Sequence, residues 1–158
     1  MIEISNLDSS DILEKCVLLV HASEPFVTLQ FSLEHCRQMM QGDYKEVYIA
    51  TVDGNFAGFV VIQLYGTLKG YIQTICVEPE YRSKGVGTAL IRHCEERILK
   101  VSPNVFILVS SINPGAQRLY YSLGFEKTGE FKNLILQGHD EYLLRKTIGP
   151  IRSFVPAK

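Results

Sequence analysis

Two stretches of the chain hold residues whose types and spacing could do chemistry. The first is Arg82-Ser83-Lys84-Gly85-Val86-Gly87-Thr88, which follows the strand-like run Tyr71–Val77 and a breaker at Glu78-Pro79. From Val86 the apolar residues Leu90, Ile91, Cys94 and Ile98 fall on one helical stripe. A strand that feeds a glycine turn opening a helix suits an anion. The first N–H groups of the helix lack internal partners, the dipole adds partial positive charge, and glycines let an anion approach the backbone. Arg82 and Lys84 add cationic donors at the mouth. An ordinary strand-to-helix turn uses the same glycines, so the loop alone does not name a ligand.

The second stretch is Asn113-Pro-Gly-Ala116-Gln-Arg-Leu119-Tyr120-Tyr-Ser-Leu123-Gly124-Phe125. Asn113 can cap the helix that follows it, and Gly124 can end that helix. Ala116, Leu119, Leu123 and Phe125 read as core. Tyr120 has two readings: a core aromatic whose hydroxyl bonds the backbone, or a phenol that donates a proton. Tyr121 lies about 100° round the helix and cannot point at the same atom.

Known phosphate loops narrow the anion. A P-loop needs Gly-x-x-x-x-Gly-Lys-Ser/Thr, which no segment has, and a dinucleotide fingerprint needs a third glycine where this chain has Leu90. Arg82-x-x-Gly85-x-Gly87 after a Val-x-Pro strand end instead resembles the acetyl-coenzyme A pyrophosphate loop of the GNAT N-acetyltransferases. The Asn113–Phe125 stretch resembles that family's Asn-x-x-Ala-x-x-Leu-Tyr…Leu-Gly-Phe segment, one strand later, where the family places it. The resemblance covers the chain from Ile2 to Ile148.

It implies a fold, a cofactor and roles. The fold is α/β (equally α+β), the GNAT acyl-CoA N-acyltransferase fold, with a mixed central sheet covered by helices on both faces. The co-substrate is acetyl-CoA, with no metal. Its pantetheine arm would lie between two splayed strands, Tyr71–Val77 and Val105–Ser110, along the backbone of Ile75, Cys76 and Val77. Arg82, Ser83, Lys84, Gly85, Val86, Gly87 and Thr88 would hold the pyrophosphate. Asn113 would hydrogen-bond the cofactor as well as cap its helix. Backbone N–H groups near Val77 would polarise the acetyl carbonyl, and Tyr120 would protonate the leaving thiolate. Cys76, a thiol in an apolar strand, reads as packing rather than as a nucleophile. The implied reaction is direct transfer of acetyl to a primary amine, of a small molecule or a protein. A coenzyme A-binding module without transfer activity, acting as a sensor or interaction domain, is the alternative.

The chain departs from the family at the general base. Many relatives place a Glu on a splayed strand, whereas this one has Gln73 and Thr74 on the first and Leu108, Val109, Ser110 and Ser111 on the second. None is a base near neutral pH. That leaves a water relay through Gln73, Ser110 or Ser111, or a residue such as His21 or Glu24 reaching in from the N-terminal helices. Glu34 and His35 belong to the same region. Glu78, beside Pro79, is expected to point to solvent.

The elements that must position these groups follow from periodicity. Ile2 and Ile4 alternate as an edge strand, and Asp8–Asp11 opens a helix that ends near Ser23. Phe26–Phe31 reads as a connecting turn, and Ser32 caps a second helix that Gly42 terminates. Glu46–Asp53 and Phe56–Leu64 flank Asp53-Gly54-Asn55, a hairpin signal. Val105–Val109 reads as a fully buried strand, Ala116–Leu123 as a helix, and Phe125–Leu136 and Tyr142–Ile148 as closing strands. The order is β, α, α, β, β, β, α, β, α, β, β, one domain over residues 1–148 with a tail over 149–158.

Composition excludes other classes. In 158 residues, 46% hydrophobic and 21% charged is an ordinary globular balance. With 16 Lys and Arg against 17 Asp and Glu, no electrostatic footprint for nucleic acid exists. The start lacks a basic-then-apolar signal and no run approaches membrane-spanning length, so no membrane partner is expected. Cys16, Cys36, Cys76 and Cys94 form no metal-ligand spacing and suit a reducing compartment, which implies a cytoplasmic location. A homodimer is left open.

Overall fold

The computed structural model describes residues 1–156. Its elements are β1 (Ile2–Asn6), α1 (Ser10–His21), α2 (Leu33–Met39), β2 (Lys45–Val52), β3 (Asn55–Gln63), β4 (Tyr71–Val77), α3 (Val86–Ile98), β5 (Asn104–Ser110), α4 (Pro114–Ser122), β6 (Glu126–Phe131) and β7 (Glu141–Thr147). This is the order the periodicity gives. Ser9 and Ser32 accept from the backbone N–H of Ile12 and His35, so they cap α1 and α2 as their type favours. Asp53 and Gly54, with φ of 50° and 83°, make the tight β2–β3 turn.

The seven strands form one sheet in the order β1-β2-β3-β4-β5-β7-β6. Only β4 and β5 run parallel; every other neighbouring pair is antiparallel. Alternation along β3 serves two cores. Val60 and Ile62 pack with Val86, Leu90, Ile91 and Ile98 of α3, whereas Phe59 and Val61 pack with Val17 and Val20 of α1 and Cys36 of α2. Each such buried side chain is worth about 1.5–3 kcal/mol of apolar transfer. The sheet is thus covered on both faces.

A bulge creates the opening that matters. Val61 pairs with Thr74 but Ile62 pairs with Ile72, so Gln73 is an extra residue in β4. It reverses the alternation: Ile72 faces the α3 core, while Cys76, of the same parity, faces the α1–α2 core. Beyond the bulge β4 leaves β5. The two strands pair only at Tyr71–Phe106 and Ile72–Ile107, and Gln73–Val77 has no β5 partner. At the closed end the chain passes so near β5 that a Cβ on Gly70 would lie 2.3 Å from the Asn104 carbonyl oxygen. The strands are therefore pinned together at one end and apart at the other.

Three expectations need correction. Phe125–Leu136 is not one strand, because β6 stops at Phe131. The chain there folds into a loop: the Asn133 side chain accepts from the Gly138 N–H (2.7 Å) and its N–H donates to Asp140 (3.2 Å). The strand read as fully buried over Val105–Val109 has half-buried Phe106 and Leu108; Leu108 lies beyond the last residue paired with β4, where the opening leaves β5 partly uncovered. Glu78, expected at the open surface, is half-buried. After β7 the tail carries one 3-10 turn at Ile151–Ser153, and its last two residues lie outside the described ones. No helix among the described residues is long and apolar enough to cross a membrane.

Candidate active site

Two cavities open on the split between β4 and β5. The larger, about 910 Å³, is lined by Ile75, Cys76 and Val77 of β4, by Arg82 and Ser83, by Asn113, Gly115, Ala116 and Leu119 around the start of α4, and by the end of α1. The other, about 520 Å³, is lined by β4 from Tyr71 to Ile75, by β5 from Ile107 to Ser110, and by Asn113, Tyr120 and Glu141. Phe26, Leu29, Phe31, His35, Leu134 and Ile135 form its outer wall. Glu24, Ile75 and Asn113 line both, so the cavities meet there.

The first cavity fits an extended thioester cofactor. The unpaired β4 edge along Ile75–Val77 can receive an amide-bearing arm as a further strand would. Beyond it stands the amino end of α3. Its cap is Gly85, at φ +90°, which offers no side-chain bond to the first helical N–H groups. By contrast α1, α2 and α4 are each closed by a Ser or Asn side chain. The α3 end thus keeps donors for an anion. Ser83, at φ +59°, turns the chain into that end.

Not every loop residue reaches the cavity. Arg82 and Ser83 line it, and the Arg82 Nε donates to the Val77 carbonyl at 3.0 Å, tying the loop to the end of β4. Lys84 sits over the Tyr81 ring, 5.8 Å from its centre. The Val86 side chain is core, so only its backbone is free to act. Gly87 packs near Leu119 and Val77. Asn113 does cap α4, accepting from the Ala116 N–H at 3.2 Å, and also lines both cavities. Cys76 is buried, and that burial pushes its thiol up to about 12, which leaves it a packing thiol rather than a nucleophile.

Tyr120 lies on α4 where the two cavities approach each other. It is 5% exposed and its ring centre is 6.2 Å from that of Phe125, so packing fixes it. Burial, followed by the Cys76 sulfur nearby, pushes the phenol up and keeps it protonated. A core aromatic would have its hydroxyl bonded to the protein. Among the described residues no such bond forms.

The groups considered in the sequence as a water relay or a base are placed differently from one another. Gln73 accepts from Gln63 at 2.7 Å and donates to the Met39 carbonyl at 3.4 Å, so its amide is held. His21 is exposed and lines neither cavity. Glu24 reaches both but caps its own turn, accepting from the Thr28 N–H at 3.1 Å and hydroxyl at 2.9 Å. Glu34 accepts from Gln38 at the surface. His35 stacks on Phe31, with ring centres 4.4 Å apart. The β5 end is fixed instead: Gln117 donates to the Ser110 carbonyl at 3.0 Å.

Glu141 is the residue that sequence reasoning missed. It follows His139-Asp140 in what reads as a surface turn, yet β7 inserts between β5 and β6 and sets Glu141 directly opposite Ser110. Only that pairing carries it inward, and no local sequence signal reports it.

Comparison with known proteins agrees with this geometry. A family model described as "Acetyltransferase (GNAT) domain" matches residues 13–133. An N-alpha-acetyltransferase of Sulfurisphaera tokodaii is 27% identical over 127 residues, 72% of this chain and 74% of its own length. The ribosomal-protein-S18-alanine N-acetyltransferase of Escherichia coli superimposes with a TM-score of 0.77 at 23% identity, over 99% of this chain and 100% of its own. Arabidopsis thaliana NAA60 in complex with acetyl-CoA gives 0.74 at 23% identity, over 94% and 99%. The chain belongs to the GNAT acetyltransferase family. It is an acyltransferase that uses acetyl-CoA as co-substrate and acetylates an amine nitrogen.

Proposed function

We propose that the acceptor is a primary amine that enters the 520 Å³ cavity and attacks acetyl-CoA lying in the other, with both substrates bound at once. The observation that carries this is the junction of the two cavities at Ile75 and Asn113, beside Tyr120. Two substrates, one in each cavity, can meet there without a covalent relay on the protein. Bound acetyl-CoA supplies an activated thioester. Ile75, Cys76 and Val77 position the pantetheine arm, and Arg82, Ser83 and the backbone from Lys84 to Thr88 hold the pyrophosphate. Asn113 orients the arm while capping α4. Tyr120 gives its proton to the departing sulfur, a role worth about 10²–10⁴-fold.

The relatives favour the α-amine of a polypeptide among primary amines, since two of them, from Sulfurisphaera tokodaii and Saccharolobus solfataricus, are N-alpha-acetyltransferases. An α-amine, with an ordinary pKa of about 7.7–8.0, is also easier to deprotonate than a lysine at about 10.4. The four cysteines, all free and buried, support a cytoplasmic location. The catalytic domain is residues 1–148. Thiol release from acetyl-CoA, measured with a panel of short peptides, polyamines and small aromatic amines, tests the reading. Release dependent on a peptide's free amino terminus is expected. Failure of every amine in the panel to release thiol would favour the coenzyme A-binding module instead.

A further inference from the structure

Three residues that line the acceptor cavity each carry a buried polar atom without a partner: Thr74 Oγ1 on β4, Ser110 Oγ on β5 and Glu141 Oε2 on β7. The residues are 3%, 3% and 4% exposed. Buried polar atoms are nearly always satisfied, and leaving one unpaired costs about 1–3 kcal/mol. Here three belong to residues of three strands that line one cavity, and register sets two of those residues, Ser110 and Glu141, directly opposite each other. All three can accept hydrogen bonds, and one is a carboxylate oxygen. A primary ammonium ion offers three N–H donors and one positive charge, which is the complement.

We propose that Glu141, with the hydroxyls of Ser110 and Thr74, receives the acceptor as its primary ammonium ion, and that Glu141 removes the proton that must leave before nitrogen attacks. This rests on the acetyl-transfer reading above and fills the position that the splayed strands leave without a base. Glu141 reaches the cavity from the next strand because register sets it against Ser110.

The steps balance. The ammonium gives one proton to the Glu141 carboxylate, and the freed lone pair forms the bond to the acetyl carbon. The carbon–sulfur bond breaks, sulfur keeps its electron pair, and Tyr120 gives sulfur its hydroxyl proton. The second nitrogen proton restores Tyr120, and Glu141 passes the first to solvent. One ammonium and one thioester become one amide, one thiol and one released proton.

The surroundings suit a base. Burial, first among the causes, holds the Glu141 carboxyl above its ordinary value, while Ser110 and His139 favour the ionised form and Asp140 opposes it. Ser110 lies close enough for this influence but makes no hydrogen bond of proper geometry. Tyr71, on β4, senses the same carboxylate: burial and then Glu141 push its phenol up to about 12, so it stays neutral beside it. Glu24, His35 and Tyr120 complete the titratable lining.

Glu141→Gln keeps the shape and removes the base. With acetyl-CoA and a tetrapeptide bearing a free α-amine as probe, kcat/KM is expected to fall about 10²–10⁴-fold near neutral pH. The acidic limb of its pH profile should vanish, with acetyl-CoA affinity unchanged by calorimetry. The same peptide methylated on its α-nitrogen, one donor short, should be a poorer substrate of the wild type by more than about tenfold. A second readout needs no cofactor. A carboxyl raised in the folded state stabilises the fold below its unfolded pKa and loses that contribution as pH rises through the folded value. The variant should therefore melt a few degrees above the wild type at pH 7, the gap closing towards acid. Should Glu141→Gln not fold, Glu141→Asp with a displaced acidic limb carries the test. A variant that keeps wild-type kcat/KM and its acidic limb overturns the assignment and leaves acetyl transfer standing. So does one that melts below the wild type at pH 7, since the carboxylate would then be a structural anchor. A wild type that releases no thiol with either peptide overturns both readings.

Discussion

The two cavities that flank the β4–β5 split are built by different means. The side proposed for the cofactor is made largely of backbone: an unpaired strand edge at Ile75–Val77, the uncapped amino end of α3 at Gly85, and a loop tied down by Arg82. The side proposed for the acceptor is made of side chains from many elements, with Thr74, Ser110 and Glu141 from three strands and Phe26, Phe31, Leu134 and Ile135 from two loops. A backbone site needs residues of special conformation at fixed spacing, so it constrains the sequence locally. A side-chain site needs only convergence in space, which leaves each loop free to vary. The difference explains how one fold can keep its acetyl donor and change its amine.

Tyr120 stands between the two regions, and removing its hydroxyl should give the largest effect. Tyr120→Phe is expected to lower kcat about 10²–10⁴-fold while acetyl-CoA affinity, read by calorimetry, stays within about twofold. The ring stays packed against Phe125, so the fold should hold. Wild-type turnover with chemistry rate-limiting would remove the proton donor from this side of the comparison. A loss of folding would return Tyr120 to the core.

The cofactor side is tested alone by Gly87→Asp. A Cβ there would sit 3.4 Å from the nearest Leu119 methyl, a tight but adjustable contact. An acidic residue in the first turn favours the helix, so stability should hold or rise. The carboxylate would compete with the pyrophosphate for the same N–H groups. Acetyl-CoA affinity is expected to drop about 10–100-fold, equivalent to about 1.4–2.8 kcal/mol, measured by calorimetry. Unchanged affinity would move the phosphate site off the α3 end.

The same contrast governs what the sequence could reveal. The order of strands and helices, the serine caps and the hairpin at Asp53-Gly54 follow from local rules, as does the glycine loop. Asn113 and Tyr120 were legible as a pair because one short motif holds both, Asn113 as the cap of the nine-residue α4 and Tyr120 about two turns further on. The bulge at Gln73 was not legible, since an extra residue shows only against its partner strand. Glu141 was hidden for the same reason: β7 enters the sheet between β5 and β6, and long-range pairing decides which side chain meets Ser110. The overlong strand at Phe125–Leu136 failed because Asn133 and Asp140 close a loop with their own side chains, which apolar content at Leu134–Leu136 conceals.

The most direct test of two substrates meeting at the split is initial-rate kinetics in both substrates, joined to the mass of the protein after exposure to acetyl-CoA alone. Direct attack requires both bound together, so double-reciprocal plots at several amine concentrations should intersect, and the protein mass should not change. Parallel lines, with an acetyl group on Cys76 before any amine is added, would contradict the account: the acetyl group would then pass through the protein rather than across the junction of its two cavities.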